Sequence, residues 1–231
     1  MMMTRIVVLM MMALALVRCN DSESFKPEPD PVVFNASAFV EVKDVQGNAV
    51  EGAKITLGDV AGYTNADGVL YLKKVEMNPS TYLIADKAGY FHGSRRFYPS
   101  AGQTSVVRIV LMPQQLAGSI QSDAGGTIQV SDDIHLDFSA GAVVDLDGQV
   151  YHRTVSVYAQ PISADDPDLS YKMPGDLIGI TESGEQNAMA SFGMVVTELR
   201  SGSGALLQVK KGSTVAMSIG LPSSLAATAP S

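Results

Sequence analysis

Tryptophan is absent from the 231-residue sequence, and cysteine occurs once, as Cys19. A lone thiol closes no intrachain disulfide, and no C-x-x-C pair is present to hold zinc, so neither kind of cross-link staples this fold. The three histidines, His92, His135 and His152, stand far apart without H-x-x-x-H spacing, which leaves a zinc site without local support. Positive charge is thin as well. Sixteen Lys and Arg against 24 Asp and Glu give a net charge of -8, and a nucleic-acid backbone or an anionic lipid surface requires clustered cations. The doublets Lys73-Lys74, Arg95-Arg96 and Lys210-Lys211 are small and scattered, and read as solvated strand ends.

What is present is a packed, strand-rich chain. Hydrophobic residues make up 46% and charged residues 17%, the composition of a globular protein rather than a disordered one. Twenty-one Gly and 11 Pro among many Val, Ile, Thr and Tyr favour short strands joined by turns. The length suits two modest domains.

The one long apolar run, Ile6 to Val17, follows Arg5 and spans 12 residues. That is too short for a bilayer core of about 30 Å at about 1.5 Å per helical residue, so the run reads as a secretory signal rather than a membrane span. Cys19 directly after it, with Leu16 three positions before, resembles the lipobox of bacterial lipoproteins, although Arg18 stands where that pattern has Gly, Ala or Ser. The resemblance implies a signal peptide over 1–18, a lipid on Cys19 as the link to the membrane, and a mature chain beginning there. "NDSESFKPEPDP" is acidic and Pro-rich, hence solvated and extended, and 19–31 reads as a tether. Its acidity resembles the surface-export signal of Bacteroidetes-type lipoproteins, which implies a cell-envelope location at the outer membrane or cell surface.

From residue 32 the hydrophobic period is two. In "FNASAFVEVKD", Phe34, Ala36, Ala38, Val40 and Val42 share one face, and in "GYTNADGVLYLKKV" Val69, Tyr71 and Lys73 alternate with Leu70, Leu72 and Lys74. Between them Asn65, Asp67 and Gly68 pose a choice between binding loop and corner. A calcium loop of the EF-hand kind needs several alternating oxygen ligands and a closing Glu, and Asn65 and Asp67 supply only two. The corner is the reading adopted, with Gly68 at positive φ. Gly47, Val50, Gly52, Ala53, Thr64, Asp67 and Gly68, followed by Leu83, Ala85, Gly89 and Tyr90, resemble the carboxypeptidase regulatory-like domain over residues 34–112. That resemblance implies a transthyretin-like, seven-stranded β-sandwich without an active site.

"SVVRIVLMP" closes this first unit, 32–113, and the small residues of 114–126 read as a hinge. In 127–231, Ile134, Leu136 and Phe138 form one alternating face and Val155, Val157 and Ala159 another, the latter strand stopping at Pro161. Phe138, Gly141, Ala142, Gly148, Met173 to Asp176 and Phe192 to Met194 resemble a cartilage-intermediate-layer/ZU5-like β-sandwich module. The fold expected is therefore all-β: two tandem β-sandwich domains behind a signal peptide and flexible tether. In the resembled module a Trp-bearing strand follows the point where "SSLAATAPS" stands, which implies that the second domain is incomplete as written.

Chemistry is sparse. Asp165, Asp166, Asp168, Asp176 and Glu182 lie close in sequence, but their loop lacks a tryptophan platform for sugar and reads as solvated. Ser203 between Gly202 and Gly204 reads as a hairpin tip rather than a G-x-S-x-G nucleophile. Asp145, Asp147, Asp165, Asp166 and Asp168 are weak calcium candidates, conditional on their loops meeting. No catalytic residue, no cofactor and no nucleic-acid partner is expected. Two functions stay open: a non-catalytic envelope lipoprotein acting as spacer, adhesion or ligand-binding module toward a glycan or a surface or matrix protein, and the accessory front of a larger carbohydrate-active or peptidase enzyme. With a lipid on Cys19, Cys19→Ala moves the protein from the membrane to the soluble fraction and abolishes palmitate labelling. Unchanged fractionation would remove the anchor.

Overall fold

The computed structural model describes residues 32–221; the leader, Cys19, the tether and the segment from 222 onward lie outside the described residues. The first seven strands are β1 (Phe34–Asp44), β2 (Lys54–Leu57), β3 (Val60–Tyr63), β4 (Val69–Met77), β5 (Thr81–Asp86), β6 (Gly93–Phe97) and β7 (Thr104–Leu111). They form two facing sheets, ordered β4-β1-β7 and β3-β2-β5-β6. β1 is central, antiparallel to β4 and parallel to β7. Its predicted inner face is the buried one: Ala36, Ala38, Val40 and Val42 are at most 2% exposed. Ile109 and Leu111 on the neighbouring β7 and Ile55 and Leu83 from the facing sheet complete the core, each contributing about 1.5 to 3 kcal/mol by leaving water.

β4 departs from simple alternation. Ala36 pairs with Val75 and Ala38 with Leu72, so Lys73 and Lys74 together face Ser37. This is a β-bulge, and it reverses the phase of the strand. Leu70 and Leu72 point inward before it, Val75 and Met77 after it; without the extra residue Glu76 would face the core. Lys74 absorbs the strain with φ +51°, and its N–H donates to the Ser37 hydroxyl at 3.1 Å.

The remaining elements are β8 (Leu116–Gln121), β9 (Gly126–Ser131), β10 (Ile134–Phe138), β11 (Val143–Val144), β12 (Thr154–Ile162), the single-turn helix α1 (Leu169–Lys172), β13 (Ile178–Ile180), β14 (Gln186–Ala188), β15 (Met194–Ser201), β16 (Leu206–Val209) and β17 (Val215–Ile219). A three-stranded sheet, β17-β10-β9, faces a five-stranded one, β11-β16-β15-β12-β8, while β13 and β14 pair as a separate hairpin. Phe138, Leu136, Val143, Val155, Val157 and Leu199 fill the space between the two larger sheets.

Two expectations change here. The 114–126 stretch carries β8, an outer strand paired with β12, so it is not a slack hinge. β12 also runs through Pro161, which pairs with Val195. Proline is tolerated because β8 pairs only as far as Tyr158, and the side on which an N–H would point has no ladder partner.

The link between the sandwiches shrinks to residues 112–115, held from both sides. The Met112 carbonyl accepts from Phe91 N–H at 2.8 Å, and Gln114 N–H donates to Gly89 at 2.7 Å. From the second sandwich, Gln160 Nε2 donates to the Pro113 carbonyl at 2.9 Å, Ala159 N–H donates to Gln115 at 3.1 Å, and Gln114 Nε2 reaches Glu198 at 2.7 Å. Phe91, Met112 and Ile162 make a small buried core at this junction.

Replacing Lys74 by Gly, which adopts positive φ freely, is expected to raise stability by about 0.5 to 1 kcal/mol, and Lys74→Val to lower it. Thermal denaturation of the two variants checks the bulge assignment, and equal effects of both would contradict it.

Candidate functional site

Asn65, Asp67 and Gly68 are placed in a corner between sheets. Asn65 Oδ1 accepts the N–H groups of Asp67 at 3.1 Å and Val69 at 2.9 Å. Gly68 has φ +72°, and a Cβ there would collide with the Val42 carbonyl oxygen. Thr64, 4% exposed, bonds the Val50 carbonyl and the Ala53 N–H through its hydroxyl, at 2.6 and 2.8 Å. Asn65 rather than Asp67 is thus the organising acceptor; among the described residues the Asp67 carboxylate has no hydrogen-bond partner.

The calcium candidates are not brought together, and no group of three or more His, Cys, Asp or Glu able to hold a metal occurs among the described residues. Asp145 accepts the N–H groups of Asp147 and Gln149 at 3.0 and 2.8 Å, so its carboxylate closes a turn in which Asp147 is a donor. Asp165 accepts from the Ser163 hydroxyl at 2.5 Å. Asp166 binds Lys172 at 2.6 Å and the N–H of Asp168 at 2.8 Å; burial pushes its pKa up, but Lys172 and that N–H outweigh burial and hold it below the usual value. Glu182 lies exposed within the Thr181–Glu185 turn, and Ser203 bonds the Ser201 hydroxyl at a hairpin tip. His92 and His152 each meet a carboxylate, Asp86 and Asp123 respectively, in separate exposed pairs.

Asp176 behaves differently. Its loop, read from sequence as solvated, folds onto the first sandwich where the outer strands β6 and β7 leave their edges open. Arg96 N–H reaches the Gly175 carbonyl at 3.4 Å and Gly175 N–H reaches Ser94 at 3.3 Å. Asp176 accepts from the Tyr98 hydroxyl at 3.0 Å and lies 3.7 Å from the Arg96 guanidinium. Arg96 is sandwiched by Tyr82, its cross-strand partner, and by Tyr98, with ring centres at 5.5 and 5.7 Å. Arg96 Nε also donates to the Ser80 hydroxyl at 2.7 Å. Across the opening, the Tyr171 ring of α1 meets Arg95 and Arg108 at 5.7 and 5.3 Å. Arg108 is held by Glu41 at 2.6 Å. The Lys43 hydrogen bond first, and Arg108 second, keep the Glu41 carboxyl below its ordinary pKa. Tyr98 titrates above the usual phenol range, chiefly through lost hydration and then through its bond to Asp176, and so remains a hydroxyl donor.

Arg95, Arg96, Tyr98, Arg108, Tyr171 and Asp176 line a cleft of about 660 Å³ that also takes in Val106 and Ile178, a size within the usual range for small-ligand sites. It offers aromatic rings, hydroxyls and guanidinium donors, groups that can hold a ligand. The sequence reading missed it. Arg95-Arg96 is not a solvated strand end, since the Arg96 side chain is only 15% exposed. The available signal was the run "RRFY", basic and aromatic residues interleaved.

No family model matches the chain, and no curated protein matches it in sequence. Among solved structures it is similar to the Bacillus anthracis TIE protein, at 9% identity and TM-score 0.31 over 81% of this chain and 48% of that one. It is also similar to a streptococcal ancillary pilin, at 13% identity and TM-score 0.26 over 79% and 51%. A third likeness, to a Bacteroides uniformis protein provisionally described as carbohydrate binding, has 7% identity and TM-score 0.29 over 81% and 100%. The chain spans about half the length of the first two. Likenesses at this level assign no function.

The corner yields a graded series for urea denaturation. Asn65→Ala leaves two backbone donors without their acceptor and costs about 1 to 2 kcal/mol. Gly68→Val costs about 1 to 3 kcal/mol from backbone strain alone. Asp67→Ala stays within about 0.5 kcal/mol. A large loss from Asp67→Ala would give that carboxylate a role the corner lacks.

Proposed function

We propose that this chain is a non-catalytic cell-envelope lipoprotein module, lipid-anchored at Cys19, in which two β-sandwiches behind the 19–31 tether act as a stiff spacer that presents a binding cleft. The observation that carries the reading is the junction. Residues 112–115 give hydrogen bonds to both sandwiches, and the Phe91, Met112 and Ile162 cluster fills the space between them, so the pair is built to move as one body. The seven-strand, two-sheet arrangement of β1 to β7 supports the carboxypeptidase regulatory-like reading of 34–112. The cleft chemistry, donors and ring faces without a nucleophile, supports binding over catalysis.

A stiff pair melts as one. The full chain is expected to unfold in a single calorimetric transition, and Phe91→Ala, removing a buried ring worth about 3 to 5 kcal/mol, is expected to separate it into two. Two independent transitions in the unmutated chain would refute the spacer reading.

A further inference from the structure

We propose that the cleft between the β6 and β7 edges binds an acidic saccharide, a sugar ring bearing a carboxylate or sulfate. This rests on the reading of the cleft as a binding site in the docked pair; ligand titration tests it and calorimetry of the unliganded chain tests the docking, so the two failures are distinguishable. Two of the three cleft arginines are committed internally. Arg96 is held by Ser80 and stacked between Tyr82 and Tyr98 beside Asp176, and Arg108 is bonded to Glu41. Arg95 is half-buried against the Tyr171 ring and has no carboxylate within ion-pair distance among the described residues. A guanidinium so placed offers a planar fork of donors matched to a carboxylate or sulfate. The two carboxylates nearest the cleft, Asp176 and Glu41, are each already set against an arginine, so neither answers Arg95. On a chain of net charge -8, anion binding needs such a local concentration of cations.

The rest of the ligand follows from the tyrosines. Tyr98 and Tyr171 line the cleft, Tyr98 is 52% exposed, and each carries a hydroxyl at its ring edge. A pyranose has the complementary form, an apolar C–H face with hydroxyls around its edge. An extended peptide fits less well, because the β6 edge it would pair with is already occupied by Gly175.

The test titrates the full chain with trigalacturonate, with its methyl ester, with a sulfated galactan fragment, with sodium acetate and sulfate alone, and with a triglutamate peptide. Support consists of binding by trigalacturonate or the sulfated fragment that weakens at least about tenfold, or about 1.4 kcal/mol, in Arg95→Gln at unchanged melting temperature. The methyl ester binds correspondingly less than trigalacturonate where the carboxylate is the recognised group. Tyr98→Leu supplies a second variant that weakens binding should Arg95→Gln fold poorly, and Arg153→Gln, away from the cleft, leaves binding unchanged. The proposal is overturned by no binding of either acidic sugar, by binding indifferent to the cleft variants, by acetate or sulfate binding as tightly as the sugars, or by tighter binding of triglutamate.

Discussion

One local arrangement recurs at five of the turns of this chain. A short polar side chain at position i accepts the backbone N–H at i+4, the backbone closes with i+3 to i and i to i+4 bonds, and a glycine at i+3 takes positive φ. It occurs from Asp44, Asn65, Asp145, Thr181 and Ser201, and the five glycines span φ +72° to +86°. At Asp44, Asn65 and Asp145 the same oxygen also takes the i+2 N–H. Each turn satisfies donors that would otherwise lack partners and fixes the register that follows. Since one slip would exchange a buried face for a solvated one, the cores depend on these oxygens.

The same use of oxygen explains why acid-rich turns need not be metal sites. Asp44 accepts from two backbone N–H groups through Oδ1 and from the Asn48 amide through Oδ2. Desolvation raises its pKa, but the Asn48, Gln46 and Gly47 donors overcome that and lower it. The Asp44 carboxylate is engaged in holding backbone, and Asp145 accepts the corresponding i+2 and i+4 N–H groups. Of the acids that look in sequence like a ligand set, Asp145 and Asp166 are engaged in accepting backbone N–H groups, those of Asp147, Gln149 and Asp168.

This also marks what was legible in the residues. The inner faces of β1, β10 and β12 follow directly from alternation, because a half-buried strand leaves no other pattern, and the turn at Asn65 to Gly68 announces itself by composition. The bulge at Lys74 does not, since one added residue in "VLYLKKVEM" leaves no mark beyond a charged pair and becomes visible only when Val75 and Met77 are found inside. Pro161 suggested an ending because sequence does not show that β8 stops short of it. The cleft was hidden for a longer-range reason: Arg96, Arg108 and Tyr171 lie on three elements from two sandwiches, and nothing local says that the 163–178 loop crosses to the first.

That crossing ties architecture to site. A two-sheet sandwich leaves outer strands whose backbone groups invite association with other chains. Here the β6 edge is covered in part by the Gly175 segment, and α1 packs beside β7. Covering the backbone while leaving Arg95 and Tyr98 at the cleft turns a strand-pairing edge into a surface of side chains rather than of main-chain donors and acceptors. Because Asp176 and Tyr171 come from the second sandwich and the arginines from the first, the cleft exists only while the two remain docked. The Phe91, Met112 and Ile162 junction is therefore a condition for the cleft, and one packing arrangement fixes both the link between the sandwiches and the positions of the groups that line it.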